Sequence, residues 1–499
     1  MKPQFTCLAG AALIGAALLF MRHLSFSFPL GTTTSEHPYI AFTATLMTAN
    51  LIWLGLIFAI KRWSRVGLMG SSTTKRPSWK IWLWGLLGLS LGFRALFFGS
   101  IPVYEDDWNR YLWDGASIVQ GVSPYKYSPA EIESQLADEA IIEGQRIIPQ
   151  GDGDKLYDLS DEGYSVLVKI NNPKLTTIYP PSAQAAFTLA ALIKPLKIDP
   201  LRFVFLLIEA LTMFLMIKAL ILYGRSSLWV LIYAFNPLLI YSAFNVAHMD
   251  VILPPFMMAT LILIKRRPYL AGAALAGAAA VKVWPLILAP ILYRNWVRKP
   301  VIYISAALIV AALSLALFWP MITELRPSSG LSAYSQNWQR SSFLFPAILN
   351  MLKNVMNDPG DLLRLSVAAV LTGLSLWYGF GHLLSRKNQT DNSAYDMNIP
   401  RAMMIVTLTL LFLSPTGYPW YVIWVIMFIP FVPYYGAAML CVLVPLYYVR
   451  FALGEQGRYE IYTDILVPIQ FGVPMLILLG EYCLSQIRGA KAKTEILHG

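Results

Sequence analysis

The chain has 499 residues, of which 57% are hydrophobic and only 13% charged, with a mean hydropathy of +0.55. No ordinary soluble domain shows that balance, so the expected solvent is the bilayer. The formal net charge of +11 does not imply a nucleic-acid partner, because Lys and Arg fall in short runs between apolar segments, as the positive-inside rule requires.

Apolar stretches of about 15 to 22 residues recur along the chain, and a hydrocarbon core of about 30 Å takes roughly 20 helical residues per crossing. The first, Phe5 to Met21, follows Lys2 and has no A-x-A-like cleavage site before Arg22-His23, so it is expected to be an uncleaved anchor. The second, Tyr39 to Ile60, is followed by Lys61, Arg62, Arg65, Lys75, Arg76 and Lys80 without an acidic residue, which marks a cytoplasmic linker. A third run, Ile81 to Phe98, then crosses outward. The segment 101–177 beyond it holds 14 of the 28 acidic residues against 6 basic ones, a net of −8, which leaves the rest of the chain at +19. This loop carries helix-compatible stretches, Trp108 to Gln120 and Pro129 to Glu143, between Gly and Pro breaks, and is expected to form a small folded external cap.

Pro180-Pro181 opens Ser182 to Leu196, too short for a comfortable crossing and read as an interfacial helix on the outer surface. Crossings are expected near Phe203 to Tyr223, Trp229 to Phe244 and Val251 to Ile264, the last followed by Lys265-Arg266-Arg267 inside. A hairpin, Tyr269 to Val281 and Trp284 to Tyr293, places Lys282 at its outer tip and Arg294, Arg298 and Lys299 inside. Val301 to Trp319 leads out to a second external loop and Leu362 to Leu384 returns to Arg386-Lys387. Further runs lie near Ala402 to Leu413, Tyr421 to Val432, Ala437 to Val449 and Leu466 to Leu484, before the basic tail Arg488, Lys491 and Lys493. An all-α bundle of about 14 membrane segments with both termini inside satisfies every basic run. The corresponding organisation is 1–80, two helices and a basic linker; 81–453, the catalytic membrane region; and 454–499, the last loop, helix and tail. Cys7, Cys441 and Cys483 lie in apolar segments and show neither metal spacing nor a disulfide framework.

Chemistry concentrates at one expected depth. Glu105, Asp106 and Asp107 lie just beyond the third crossing, where crowded carboxylates can share protons and a raised pKa suits a general base; the competing reading is a solvated start to an acidic loop. Arg94 sits inside the third crossing, where a cation is expensive unless it faces a cavity or partner, or snorkels to the interface. His248-x-Asp250 suits a metal less well than a hydrogen-bonded structural pair, so neither metal nor cofactor is expected. Ser414 to Tyr421, with Tyr418 and Trp420, brings aromatics and broken backbone to the same boundary; such backbone at membrane depth is tolerated where it is buried or lines a cavity.

Arg94, the run Tyr104-Glu105-Asp106-Asp107-Trp108-Asn109-Arg110-Tyr111-Leu112-Trp113-Asp114-Gly115, and Gly121-Val122-Ser123-Pro124-Tyr125-Lys126-Tyr127 together resemble the first external loop of GT-C glycosyltransferases. The likeness is to the bacterial mannosyltransferase-like group that uses polyprenyl-phosphate sugars. It continues in separated motifs, Tyr179-Pro180-Pro181-Ser182-Ala183-Gln184, Asn236-Pro237 leading to His248-Met249-Asp250, Lys282-Val283-Trp284-Pro285 and Pro419-Trp420-Tyr421. Two N-terminal crossings are extra relative to the simplest family pattern. The resemblance implies an inverting hexosyl transfer from a polyprenyl-phosphate donor to a lipid-linked or glycan acceptor on the external face of the inner membrane. Its base corresponds best to Asp107, because Tyr111 matches the family spacing, with Asp106 the alternative and Glu105 a solvated neighbour. Arg94, Arg110 and Lys282 become candidates for neutralising the leaving phosphate. Tyr125, Tyr179, His248, Asp250, Tyr418 and Trp420 become candidates for substrate contact. An external site has no access to cytoplasmic sugar nucleotides and no Gly-rich phosphate loop is present, which agrees with a lipid-borne donor. Two other functions compete. A lipid-linked sugar flippase would show paired, similarly interrupted halves, and a surface-polysaccharide polymerase or ligase would carry its main external loop near the C-terminus.

Overall fold

The computed structural model describes residues 3–28, 37–65, 77–136, 148–292, 300–326, 329–330, 332–333, 339, 341–381 and 396–498. The basic residues Lys75, Arg76, Arg294, Arg298, Lys299, Arg386 and Lys387, and the end of the expected loop helix beyond Leu136, lie outside them. Among the described residues the fold is helical and contains no strand. Seven helices among the described residues are long and apolar enough to cross a bilayer: Phe5–Ser25, Tyr39–Ser64, Ile198–Leu222, Pro300–Ile322, Gly360–Phe380, Tyr435–Glu455 and Tyr459–Ile487. These make the chain an integral membrane protein.

The expected count of about fourteen segments is not reached by full-length helices. An eighth span forms only if Ser227–Ala234 and Pro237–Asn245, bent by 54°, are taken together. Met249–Leu263, Pro268–Ala279 and Asn398–Leu413 are shorter, and Pro181–Ile193 has 13 residues, a rise of about 20 Å against a core of about 30 Å. Pro77–Ala95, with Lys80 and Arg94, is not among the seven. The sequence scan reads Trp229 to Phe244 as one crossing because hydropathy is insensitive to the Asn236-Pro237 break. Pro237 has no N–H to continue the helix, and Asn236 caps the next half by accepting from the Leu239 N–H at 2.8 Å.

The break leaves carbonyls that neighbouring helices must satisfy, as broken backbone in a membrane requires. Trp53 of α2 (Tyr39–Arg65) donates its indole N–H to the Ile232 carbonyl at 2.7 Å. Ser90 and Arg94 of α3 (Pro77–Ala95) donate to the Ala234 carbonyl, both at 2.8 Å. The Arg94 guanidinium also bonds Glu209 at 2.7 and 3.1 Å, and the Tyr233 hydroxyl donates to the other Glu209 oxygen. Arg94 and Glu209 are both fully buried. This cluster fastens three helices at one depth.

After α3 the chain runs through residues 100–103 in a clamp. Asn245 accepts from the Val103 N–H at 2.9 Å and donates to the Ile101 carbonyl at 2.9 Å, while Arg202 donates to the Ser100 carbonyl at 3.0 Å and Tyr241 to that of Val103 at 2.9 Å. Tyr104 then takes the left-handed region at φ 75°, unusual for a bulky residue, and its ring stacks on Tyr448 and Phe451 with centroids at 4.6 and 5.1 Å. The left-handed turn separates the clamp from the acidic triplet and from α4 (Asp107–Val119). Helix α4 lies against Pro181–Ile193, and Gly115 allows the approach, since a Cβ there would collide with the Phe187 carbonyl. Two further loop helices follow, Pro129–Leu136, opened by a Ser128/Glu131 capping box, and Gln150–Leu167.

Candidate active site

A cavity of about 1010 Å³ opens where the start of α4, the 171–180 segment, Met249–Ile252, the 282–284 turn and residues 414–424 converge. Asp106, Asp107, Arg110, Tyr179, Asp250, Lys282, Tyr418 and Trp420, all expected from sequence, line it. His248 lies at its edge: its ring stacks on Trp420 with centroids 3.7 Å apart and planes at 15°, and its Nδ1 is 3.8 Å from Asp107 Oδ2, too far for a hydrogen bond. Residues separated by more than 300 positions thus share one wall.

Asp107 is the first residue of α4, and its side chain is 23% exposed, toward the cavity rather than bulk water. The Asn171 amide donates to Asp107 Oδ1 at 2.7 Å and to Asp106 Oδ1 at 2.8 Å, so one side chain bridges the two carboxylates. Burial pushes the Asp107 carboxyl up to about 6; the Asn171 bond opposes this, the Asp106 charge adds to it, and Lys282 opposes it again. Asp106 keeps an exposed surface, yet the protein around it displaces enough water to raise its carboxyl above the usual range, with the Asn171 bond opposing. A cavity carboxyl pushed up to about 6 is suited to accept a proton.

Lys282 pairs with Asp250 at 2.8 Å and stands 4.1 Å from the Tyr421 ring centroid and 4.9 Å from that of Trp424. Asp250 also accepts from the Trp424 indole N–H at 2.6 Å, so this carboxylate has two charge-assisted or polar partners and orients the ammonium. Arg110 is buried and donates to the carbonyls of Leu175, Asn171 and Asn172, closing the two ends of the loop on each other. Asp114, one turn further along α4, accepts from Gln184 at 2.8 Å, and burial pushes its carboxyl up to about 6, with Arg110 opposing. Tyr418 stacks on Trp420 at 4.5 Å and 6°, and Trp420 stacks in turn on His248, so the three rings form one aromatic stack with Tyr418 and His248 at its ends.

Three sequence expectations are corrected by geometry. Arg94 is not at the cavity: its charge is spent on Glu209 and the Ala234 carbonyl within the bundle, which leaves it no reach toward a phosphate. Tyr125 is buried beside the cavity rather than in its wall, its hydroxyl donating at 2.8 Å to the Tyr179 carbonyl, so it supports a lining residue. Glu105 is not a solvated neighbour. It lines the cavity, and burial raises its carboxyl well above the usual range, opposed by Arg450 and reinforced by Asp107 and Asp106.

Sequence reading missed Asn171, Trp424 and Arg450. Arg450 carried an available signal, a lone cation ending an apolar run. Asn171 sits in an ordinary polar turn, Asn171-Asn172-Pro173, and carries none.

No family model matches the chain, and no solved structure matches it. The chain is similar to the alpha-(1->6)-mannopyranosyltransferase A of Mycobacterium tuberculosis, with 24% identity over 413 residues, an alignment that takes in 76% of this chain and 70% of that protein.

Proposed function

We propose that the protein is a membrane glycosyltransferase of the GT-C type that moves a hexose, taken as mannose from its mycobacterial relative, from a polyprenyl-phosphate donor to an acceptor hydroxyl on the external face of the inner membrane. The observation that carries this reading is Asp107, a carboxylate titrating near 6 in a large cavity with the Lys282 ammonium in the same wall. The −8 balance of the 101–177 segment and the basic runs elsewhere support an external site.

In this reading the acceptor oxygen attacks the anomeric carbon as its proton passes to Asp107. The bond from that carbon to the phosphate oxygen breaks, and its electron pair leaves with the lipid phosphate. Inversion means that an α product, as in the relative's name, comes from a β-linked donor. Negative charge gathers on the departing phosphate, and Lys282, oriented by Asp250, is the cation placed to meet it, with Arg110 behind the loop. Tyr179 and Tyr418 offer ring faces to the sugar, and Trp420, stacked between Tyr418 and His248, backs Tyr418 and meets the sugar only by its edge.

The test is transfer by the purified protein in lipid vesicles from polyprenyl-phosphate mannose, with a mannosyl nucleoside diphosphate as the competing donor. Transfer from the lipid donor alone is expected. Transfer from the nucleotide instead, or near-normal transfer by both Asp107→Asn and Asp106→Asn, would sink the reading.

A further inference from the structure

Among the polar atoms beside the cavity that have no hydrogen-bond partner are Glu105 Oε1, an acceptor, and Arg450 Nε, a donor. Buried polar atoms left unpaired in the wall of a cavity call for an occupant, because desolvating a polar group without giving it a partner is unfavourable. Both side chains are held in place independently of any occupant. The Arg450 guanidinium lies over the rings of Tyr447 and Phe451, at 4.1 and 4.5 Å from their centroids. Glu105 follows the left-handed Tyr104, itself pinned by stacking on Tyr448 and Phe451.

A continuous aromatic path joins this pair to Asp107. Tyr447 meets Tyr418 edge to face at 6.0 Å, Tyr418 stacks on Trp420, and Trp420 stacks on His248 beside Asp107. The path has an unpaired donor and an unpaired acceptor at one end and the candidate base at the other, and of its rings Tyr418 is half-buried while Tyr447, Trp420 and His248 are buried.

We propose that Glu105 and Arg450 are the polar contacts of a saccharide subsite that holds the acceptor through neighbouring hydroxyls. One hydroxyl donates to Glu105 Oε1, an adjacent hydroxyl oxygen accepts the Arg450 Nε–H, and the ring lies against the half-buried Tyr418. A diol engages both open atoms whether Glu105 is ionised or protonated. A phosphate could do so only against a protonated Glu105, since two facing anionic oxygens repel. The assignment of this saccharide as the acceptor rests on the glycosyltransferase reading.

The test is binding without donor, by saturation-transfer NMR and titration calorimetry on the full-length protein in nanodiscs. The probes are mono- and disaccharides of mannose, glucose, galactose and arabinose, with inorganic phosphate as a separate arm. At least one disaccharide is expected to bind the wild type, and Glu105→Leu, which removes the acceptor, and Arg450→Gln are each expected to weaken it about tenfold, the loss of one hydrogen bond to a charged group. Arg450→Lys keeps the charge but not the Nε–H and is expected to weaken binding equally. Asp107→Asn is expected to bind the disaccharide while losing transfer. Matching thermal unfolding and gel-filtration profiles exclude misfolding in each variant. The proposal is overturned if no saccharide binds, if affinity survives in both Glu105→Leu and Arg450→Gln, or if phosphate displaces the saccharide and is lost with the same substitutions. Saccharide binding that depends on Glu105 and Arg450, without any transfer by the wild type, supports the subsite and removes the transferase reading instead.

Discussion

Two groups of charged residues lie among the helices, and they differ in one respect. Around Arg94 every charge has an answer: Glu209 takes the guanidinium, Tyr233 takes the remaining carboxylate oxygen, and Ser90 and the Ala234 carbonyl complete the shell in a region with no accessible surface. Around Asp107 the shell is incomplete. His248 has neither nitrogen in a hydrogen bond, Glu105 and Arg450 each keep an open atom, and the group faces a cavity. An intramembrane charge is by default suspected of function. The contrast refines that rule, because a satisfied cluster fastens helices whereas an unsatisfied one beside open volume is where a substrate would act.

The sharpest way to break the comparison is to neutralise one residue from each group. Asp107→Asn is expected to lower transfer by about 10³-fold, the range for losing a general base, while thermal unfolding in detergent stays near wild type. Arg94→Gln is expected to do the reverse. It leaves Glu209 buried and unpaired, a loss of about 3 to 5 kcal/mol of stability, and Arg94→Met combined with Glu209→Leu is expected to recover most of it with transfer per folded molecule retained. If the Arg94 double variant is stable and inactive, the division between the clusters is wrong. Lys282 tests the intermediate case, since it is both paired with Asp250 and exposed to the cavity. Lys282→Gln is expected to lower single-turnover transfer by about 10²-fold, and a purely structural role would show instead as unfolding at unchanged turnover.

The pH profile gives the finest discrimination. The base must be deprotonated, and the Asp107 carboxyl is pushed up to about 6, so kcat/KM is expected to be full above that value and to fall as pH drops through it. Because the Asp106 charge adds to the upward push, Asp106→Asn is expected to move this acid limb to lower pH with a small change in the plateau. An acid limb near the ordinary carboxylate value of about 4 would point away from Asp107.

The membrane character was legible because hydropathy is additive along a chain, and the acidic triplet was legible because it follows an apolar run directly. Lys282, His248, Asp250 and Tyr418-Pro419-Trp420 could be set at one boundary for the same reason: each sits at the end of an apolar segment or in broken backbone. Pairing was not legible. Glu209 is 115 positions from Arg94, and nothing in a one-dimensional pattern says that two charges in separate helices meet. The same blindness hid Asn171 between Asp106 and Asp107 and left Glu105 as a loop residue, because burial by Tyr447, Tyr448 and Arg450 is supplied by a helix more than 300 positions away. Segment lengths failed for a different reason: averaged hydropathy passes over the kink at Asn236-Pro237 and cannot tell a short helix from a spanning one.

The close seat of α4 on Pro181–Ile193 at Gly115 has a mechanical consequence. The same pair is tied by Asp114 and Gln184, and the far side of the short helix shows Leu189, Leu192 and Ile193 to the surroundings. A lever runs from those three side chains, through a backbone contact that a single methyl group would disrupt, to the helix whose first residue is Asp107. Displacing the short helix would displace the first turns of α4, so the position of the Asp107 carboxylate is set by a helix-to-helix seat as much as by the loop that carries it.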